Sequence, residues 1–436
     1  MIEYRNLRVA LLGAGSVGSQ VATLMLEHSD ELAARIGAGL ELIGIAVRNV
    51  DAPRPDTVPR ELLTTDAESL ILGADIVVEL MGGIEPARSY LLQALSSGAD
   101  VVTGNKALLA NHGPELFDAA EQVGAQLYYE AAVGGAIPII RPLRDSLAGD
   151  RVQRILGIVN GTTNFVLDRM DSEGESLEAA LAVATELGYA EADPTADVGG
   201  YDAAQKAGIL ASLAFHTVVP ASAVHREGIE GITLDTVVQA RNGGYVVKLL
   251  AIAERIVDPI SGEDGVSARV YPALIPRTHP LAAVRGANNA VFVEAEAAGP
   301  LMFYGAGAGG VQTASAVLGD VVSAARRHVA GGPGVGESTH AELPALPIDA
   351  IRTRYQITLS VVDQPGVLAA IATIFSEQGV SVEAVQQGAP GGDDPTATLV
   401  IVTHEETEAD LAATVRELEK SDVVTRVVSV LRVEGL

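Results

Sequence analysis

Cysteine is absent from the 436 residues, which removes disulfides, thiolate metal sites and cysteine nucleophiles from consideration. Positive charge is scarce. Lys and Arg number 29 against 56 Asp and Glu, for a formal net charge of -27, and so acidic a surface repels nucleic acid and anionic membrane alike. Small-molecule work fits this balance better. Long apolar runs are also few: one long uncharged stretch, Ala207–Val224, contains His216, Thr217, Pro220 and Ser222 and reads as a buried helix plus loop rather than a membrane span. The opening "MIEYRNLRVALLGAG" mixes charge with glycine and lacks the apolar core of a signal peptide. A cytoplasmic protein is expected.

What is present in quantity is apolar residue and glycine, 48% and 46 residues respectively, enough for a chain of this length to fold as two or three domains. Residues 1–135 alternate strand and helix patterns. "LRVALLG", "LELIGIAV", "ADIVVEL", "ADVVTG" and "AQLYYE" are short apolar runs of strand length, and "EPARSYLLQALSSG" is a helix with Pro86 at its start and Gly98 at its stop. This alternation predicts an α/β domain with a parallel sheet covered on both faces. Residues 136–307 are less regular and suggest an α+β domain whose sheet order the pattern does not assign. The stretch from 330 to 350, beginning "AGGPGVGESTHAELPALP" (Ala330 to Pro347), is rich in glycine and proline and reads as an exposed linker. Beyond it "YQITLSVV" alternates as a half-buried strand. The following helix, two strands, helix and strand complete a ferredoxin-like β-α-β-β-α-β order over 353–433.

Chemistry enters at the first predicted turn. "GAGSVG" follows a strand and opens a helix: Gly13 permits the tight turn, Gly15 lets backbone approach a pyrophosphate, and Gly18 lets helix pack on strand, while the N–H groups of the Ser16 and Val17 turn face the phosphates. A dinucleotide is the expected ligand. At the end of the second strand "AVRNV" offers Arg48, which suits the 2′-phosphate of NADP, while Asp51 close by leaves NAD open. The fourth strand-like run ends in Asn105 and Lys106, at the sheet edge where open α/β folds bind ligands.

The segment "LGYAEADPTADVGGYDAAQK" gathers Glu191, Asp193, Asp197 and Asp202 ahead of Lys206. On a helix beginning near Tyr201, Asp202 and Lys206 share a face four residues apart. On a surface that pair is worth little, but "AGILASLAF" continues the helix as an apolar, buried one, where both charges need partners or a pocket. A lysine in such a place can shuttle a proton for a dehydrogenase.

Together with "GNKALLA", "EAAVGGAIPII", "NGTTNFVL" and "GAGAGGVQTASAVLGDVV", this segment closely resembles homoserine dehydrogenase, in the long form with a C-terminal ACT domain. The resemblance implies reversible reduction of L-aspartate 4-semialdehyde to L-homoserine with NADP or NAD. It also implies a Rossmann-type domain completed by a helix at about 308–328, an α+β substrate and dimerisation domain, and a ferredoxin-like ACT domain. By the same likeness Lys206 donates the proton and Lys106 is a second catalytic or cofactor-contacting lysine. Glu191 and Asp202 hold homoserine, and Gly188 and Gly307 line the cofactor. Glu130 resembles a sodium ligand, joined by the carbonyls of Val133, Gly135 and Ile137. Asp193 and Asp197 are read as shaping the loop. "VVDQPGVLAAIATIF" resembles an ACT domain, with L-threonine as the expected effector and a homodimer or homotetramer as the expected assembly. A cysteine-dependent aldehyde dehydrogenase is excluded by composition. A non-catalytic sensor of nucleotide and amino acid is the competing class.

Overall fold

The structure, a computed structural model, describes residues 6–259, 261–331, 339–388 and 396–435. It divides into two compact units, one of Met1–Gly161, Asp202–Val224 and Ala287–Leu343, the other of Thr162–Tyr201, His225–Gly286 and Pro344–Leu436.

In the first unit, strands β1 (Leu7–Leu12), β2 (Leu40–Ala46), β3 (Leu63–Thr64), β4 (Ile76–Glu79), β5 (Asp100–Thr103) and β6 (Leu127–Tyr128) form a sheet in the order β3-β2-β1-β4-β5-β6. Every pairing is parallel. This is the doubly wound dinucleotide-binding order, with the switch point between β1 and β4. Four of its strands are apolar runs because both faces are covered: in β4 and β5 all four residues are buried. The helix Gly310–Ala330, predicted at about 308–328, buries Ala314, Val317, Val321, Ala324 and Ala325 in the same core as β1 and the helix Ser16–Glu27. The unit also holds an antiparallel set in which Asn288–Ala295 lies between Gly299–Ala306 and Val152–Ile158. The helix Tyr201–Phe215 follows the sequence expectation. It is apolar almost all round, with Asp202 and Lys206 among its buried residues.

In the second unit, the long hairpin Tyr245–Val257 and Asp264–Pro276 continues through Val424–Val433, Arg352–Val362 and Thr396–Thr403 to Val382–Gly388. The last four strands stand in ferredoxin-like order, and the helices Val367–Glu377 and Glu408–Lys420 cover one face with a core of Ile357, Leu359, Ile371, Phe375, Ile401 and Leu411. Two expectations need correcting. The strand Arg352–Val362 is not half-buried, since Gln356 and Thr358 on its polar side are buried too. It is paired along both edges, so here alternation sorts apolar from polar rather than inside from outside. The stretch read as an exposed linker is in part pinned: Val266 N–H donates to Pro344 O (2.9 Å) and Leu346 N–H to Val266 O (2.8 Å). Residues 332–338 of that stretch lie outside the described residues.

One buried amine in this unit is held by neutral acceptors. Lys248 Nζ donates to Asn164 Oδ1 (2.8 Å) and Val284 O (2.6 Å) at 2% exposure. Burial pulls it down from 10.5 to about 8, against the opposing pull of Asp168. Its folded value lies below its unfolded one, so the unfolded chain binds more protons between pH 8 and 10.5, and stability rises with pH across that window. From those two values the contribution is at most on the order of 3 kcal/mol. Thermal or denaturant unfolding of Lys248→Met should show a flatter pH dependence there than the parent does.

Candidate active site

The turn after β1 is built from glycines for reasons of space. Gly13 has φ +101, and a Cβ there would meet Leu80 O at 2.7 Å; a Cβ on Gly18 would meet Gly13 O at 2.1 Å. Gly15 has nothing within 4 Å and faces open space. It precedes the helix Ser16–Glu27, which has no side-chain cap, so the first N–H groups of that helix are available to an anion. A cleft of about 610 Å³ is lined there by Gly15, Ser16, Gln20, Arg54, Gly310 and Gln312. Val17 is partly buried and packs against the core.

Arg48 lies just beyond β2 and is exposed. Sequence reading missed a second arginine, Arg54, which lines the cleft. It donates to Asn49 O (2.8 Å) and Ala52 O (2.9 Å), and its Nε is buried with no hydrogen-bond partner. The signal was a cation in the loop after β2, obscured by the prolines on either side of it.

Lys106 begins the helix Lys106–Val123, capped by Asn105, whose Oδ1 accepts from Leu108 N–H at 3.1 Å. The cap is held from beneath by another residue the sequence reading passed over. Glu79, fully buried at the end of β4, accepts from the N–H groups of Met81 (2.7 Å) and Gly82 (3.1 Å) and from Thr103 Oγ1 (2.7 Å). Thr103 Oγ1 in turn accepts from Asn105 N–H at 3.0 Å. A chain of buried bonds therefore runs from β4 through β5 to the residue that presents Lys106.

The helix Tyr201–Phe215 brings Asp202 to the same place. Asp202 Oδ1 meets Lys106 Nζ at 2.5 Å, while Oδ2 accepts from Lys206 Nζ (2.7 Å) and Asn160 Nδ2 (3.0 Å). Burial alone would raise this carboxyl, but the two ammonium groups, Lys206 foremost, outweigh it and hold Asp202 far below the usual carboxylate range. Lys206 also donates to Val159 O at 2.7 Å. An ammonium has three N–H donors, so one of them remains free on Lys206. A carboxylate accepts about four bonds, so Asp202 keeps about one position in reserve.

The remaining predicted residues are distributed as follows. Gly307 follows the strand Gly299–Ala306 in the first unit, and a Cβ on Gly135 would meet its carbonyl O at 2.3 Å. Gly188, with φ +76, and the exposed Glu191 belong to a loop of the second unit. Asp193 is a loop-shaping residue, accepting from Thr195 N–H (3.1 Å) and Oγ1 (2.6 Å).

Glu130 does not fit the part expected of its side chain. Its carboxylate accepts from the N–H groups of Ile139 (2.5 Å), Ile140 (2.7 Å) and Arg141 (3.0 Å) and from Arg141 Nε (2.8 Å). Four donors fill a carboxylate, so a sodium ion at this turn would rest on backbone carbonyls such as those of Val133, Gly135 and Ile137. Beside it burial and the Glu130 charge push Asp320 up to about 7. No group of three or more His, Asp or Glu suited to a metal occurs among the described residues. No helix among them is long and apolar enough to cross a membrane.

Comparison with known proteins places names beside this geometry. Residues 13–130 match the family model for the homoserine dehydrogenase NAD-binding domain, 138–322 that for homoserine dehydrogenase, and 355–422 that for the ACT domain. The chain is 54% identical to homoserine dehydrogenase of Corynebacterium glutamicum over 428 residues, covering 98% of this chain and 95% of that one. Among solved structures, a homoserine dehydrogenase from Thiobacillus denitrificans superposes with a TM-score of 0.92 at 38% identity over the whole of both chains. A hyperthermophilic archaeal homoserine dehydrogenase in complex with NADPH gives 0.61 at 28% identity, covering 76% of this chain and 99% of that one.

Proposed function

The chain belongs to the homoserine dehydrogenase family, and from that premise we propose that it reduces L-aspartate 4-semialdehyde to L-homoserine with Lys206 as the proton donor. It is an oxidoreductase with a nucleotide-binding domain. The observation that carries the proposal is the pair of lysines sharing one buried carboxylate, Asp202, with one N–H of Lys206 unspent. The nicotinamide, when bound, supplies the hydride. As the carbonyl carbon is reduced, negative charge grows on its oxygen, and Lys206 meets that charge and transfers a proton to it. Asp202 holds both amines in place, at 2.5 Å from Lys106 and 2.7 Å from Lys206, and Lys106 adds a second positive charge to the pocket. Glu191 and the spare acceptor of Asp202 are assigned to the substrate ammonium.

For the cofactor, Gly13, Gly15, Ser16, Val17 and Gly18 take the pyrophosphate, and Gly188 and Gly307 take the remainder. Arg48 and Arg54 favour the 2′-phosphate of NADP. Sodium held by carbonyls near Glu130 is part of the reading but carries no step. The division of labour is nucleotide binding by 1–135, substrate binding and dimerisation by 136–307, and effector binding by 353–433, in a homodimer or homotetramer. The pathway is that toward threonine, methionine and isoleucine, in the cytoplasm. The deciding measurement is the initial rate with L-homoserine and each nicotinamide cofactor. Formation of reduced cofactor without added ammonia supports the proposal, and its absence with both cofactors refutes it.

The ACT domain is assigned L-threonine as a feedback inhibitor, with the effector carboxylate received at the start of the helix Val367–Glu377, beside Pro365 and Gly366. Truncation after Ala330 is a poor test, because it would strip Val424–Val433 from Asp264–Pro276, with which it pairs at Ala273↔Arg432 and Leu274↔Val433. Gln364→Glu, at an exposed position beside that helix start, is gentler. It should weaken threonine inhibition about tenfold by like-charge repulsion while sparing the uninhibited rate. A parent enzyme indifferent to threonine would refute the effector assignment.

A further inference from the structure

Asn289 is 1% exposed, and neither Oδ1 nor Nδ2 has a hydrogen-bond partner. Buried amides are normally bonded at both ends, so one bonded at neither calls for an explanation. Its surroundings supply one. A Cβ on Gly307 would fall 2.1 Å from both Cγ and Nδ2, and a Cβ on Gly161 would fall 3.6 Å from Oδ1. The amide is thus wedged between two glycine backbones, and each leads to a different half of the reaction.

Gly307 runs into Gly310, where the helix Gly310–Ala330 begins and lines the nucleotide cleft with Gly15 and Ser16. Gly161 follows Asn160 and Val159, which hold Asp202 and Lys206. Asn289 itself is carried on the middle strand of an antiparallel set. It pairs with Gly305 on one side, and its neighbour Ala290 pairs with Ile158 on the other. A single rigid strand therefore presents one donor and one acceptor between the segment ending at the cofactor cleft and the segment ending at the proton donor.

We propose that Asn289 is a positioning residue: when the dinucleotide seats, backbone of the Gly307 and Gly161 segments takes up its amide, which fixes the separation of nicotinamide and Lys206. The proposal rests on the assignment of Gly307 to the cofactor. An apolar side chain of similar size would fill the same gap without desolvating an amide, so the amide serves the bound state rather than the free protein. Hydride transfer depends steeply on the placement of the reacting atoms, so a loosened spacing lowers kcat as well as cofactor affinity.

The test uses Asn289→Ala and Asn289→Leu in the full chain, with melting measured without nucleotide and initial rates measured against NADP at saturating L-homoserine. Expected is a melting temperature equal to or above that of the parent, because an unpaired buried amide has gone, together with a cofactor KM raised and a kcat lowered by about tenfold each. A merely structural asparagine predicts the reverse, lower melting with unchanged kinetics. A lowered melting temperature in both variants, or kinetic constants within about twofold of the parent, overturns the inference. Adding Gly307→Ala to Asn289→Ala, where the clash is relieved, separates the premise from the inference. If alanine at 307 weakens NADP binding while Asn289→Ala alone does not, Gly307 keeps its role and Asn289 loses its own. If alanine at 307 changes nothing, the Gly307 assignment is at fault.

Discussion

Lys206→Met should lower kcat by about 10²- to 10⁴-fold, the range typical of a lost general acid, while leaving the Kd for NADP within about threefold of the parent. The substitution removes the amine but keeps a side chain of similar length in a site only 9% exposed. Asp202 does not become an orphan, because Lys106 at 2.5 Å and Asn160 at 3.0 Å still bond it. Val159 O does lose its donor. The folding cost is therefore modest, and the kinetic defect can be read without an unfolded background. Measuring kcat from reduced-cofactor absorbance and Kd from nucleotide fluorescence keeps the two effects apart. A variant with near-parental kcat would transfer the proton-donor role elsewhere, with Lys106 the first candidate. A variant that fails to bind NADP would mean that Lys206 holds the cofactor instead.

The parts of this site that were legible in the sequence are those set by near neighbours along the chain. "GAGSVG" could be read because strand, turn and helix are consecutive, with Gly18 answering a contact inside the turn, Gly13 one with Leu80 just past β4, and Gly15 left facing open space. Asp202 and Lys206 could be paired because a helix places residues four apart on one face. What stayed hidden is their third partner: Lys106 comes ninety-six positions before Asp202, and only the sheet order β1-β4-β5 brings it there. Glu79 drew no notice inside the run "ADIVVEL", because its bond to Thr103 crosses from one strand to the next. Asn289 gave no signal at all, since an asparagine in "GANNAVF" looks like a turn residue until Gly307 and Gly161 close around it. Glu130 shows the opposite failure. The likeness to a sodium site picked out a carboxylate, and the fold spends that carboxylate on three consecutive N–H groups and an arginine.

The same logic of long-range partners makes Arg432 a costly truncation in the second unit. Its guanidinium, 8% exposed, bonds Glu408 through Nε and Nη2 and Glu227 through Nη1 at 3.0 Å, and lies 4.4 Å from the centre of the Tyr271 ring. Tyr355 Oη donates to Glu408 at 2.6 Å, and Tyr271 Oη bonds Glu434. Arg432 and Tyr271 lie on the two strands that join the ACT fold to the Asp264–Pro276 hairpin, which pair at Ala273↔Arg432 and Leu274↔Val433, while Glu408 opens the helix Glu408–Lys420. Arg432→Met leaves Glu408 buried with its charge unmatched, at an expected cost of about 3–5 kcal/mol. Arg432→Lys retains the charge but not the fork and should fall in between. Denaturant unfolding of the full chain would measure both.

The acid limb of the stability curve supplies an independent check. Burial would raise Glu227, but His225 and Arg432 outweigh it and hold it at about 2. Its folded value lies below the unfolded one, so the parent loses this contribution as pH falls from about 4.5 to about 2. Without Arg432 that loss should shrink, because Glu227 returns toward ordinary carboxylate values. If Arg432→Met unfolded at the parental denaturant midpoint with the same acid profile, the network would be ornamental, and the short main-chain pairing would be enough to hold the hairpin and the ACT sheet together.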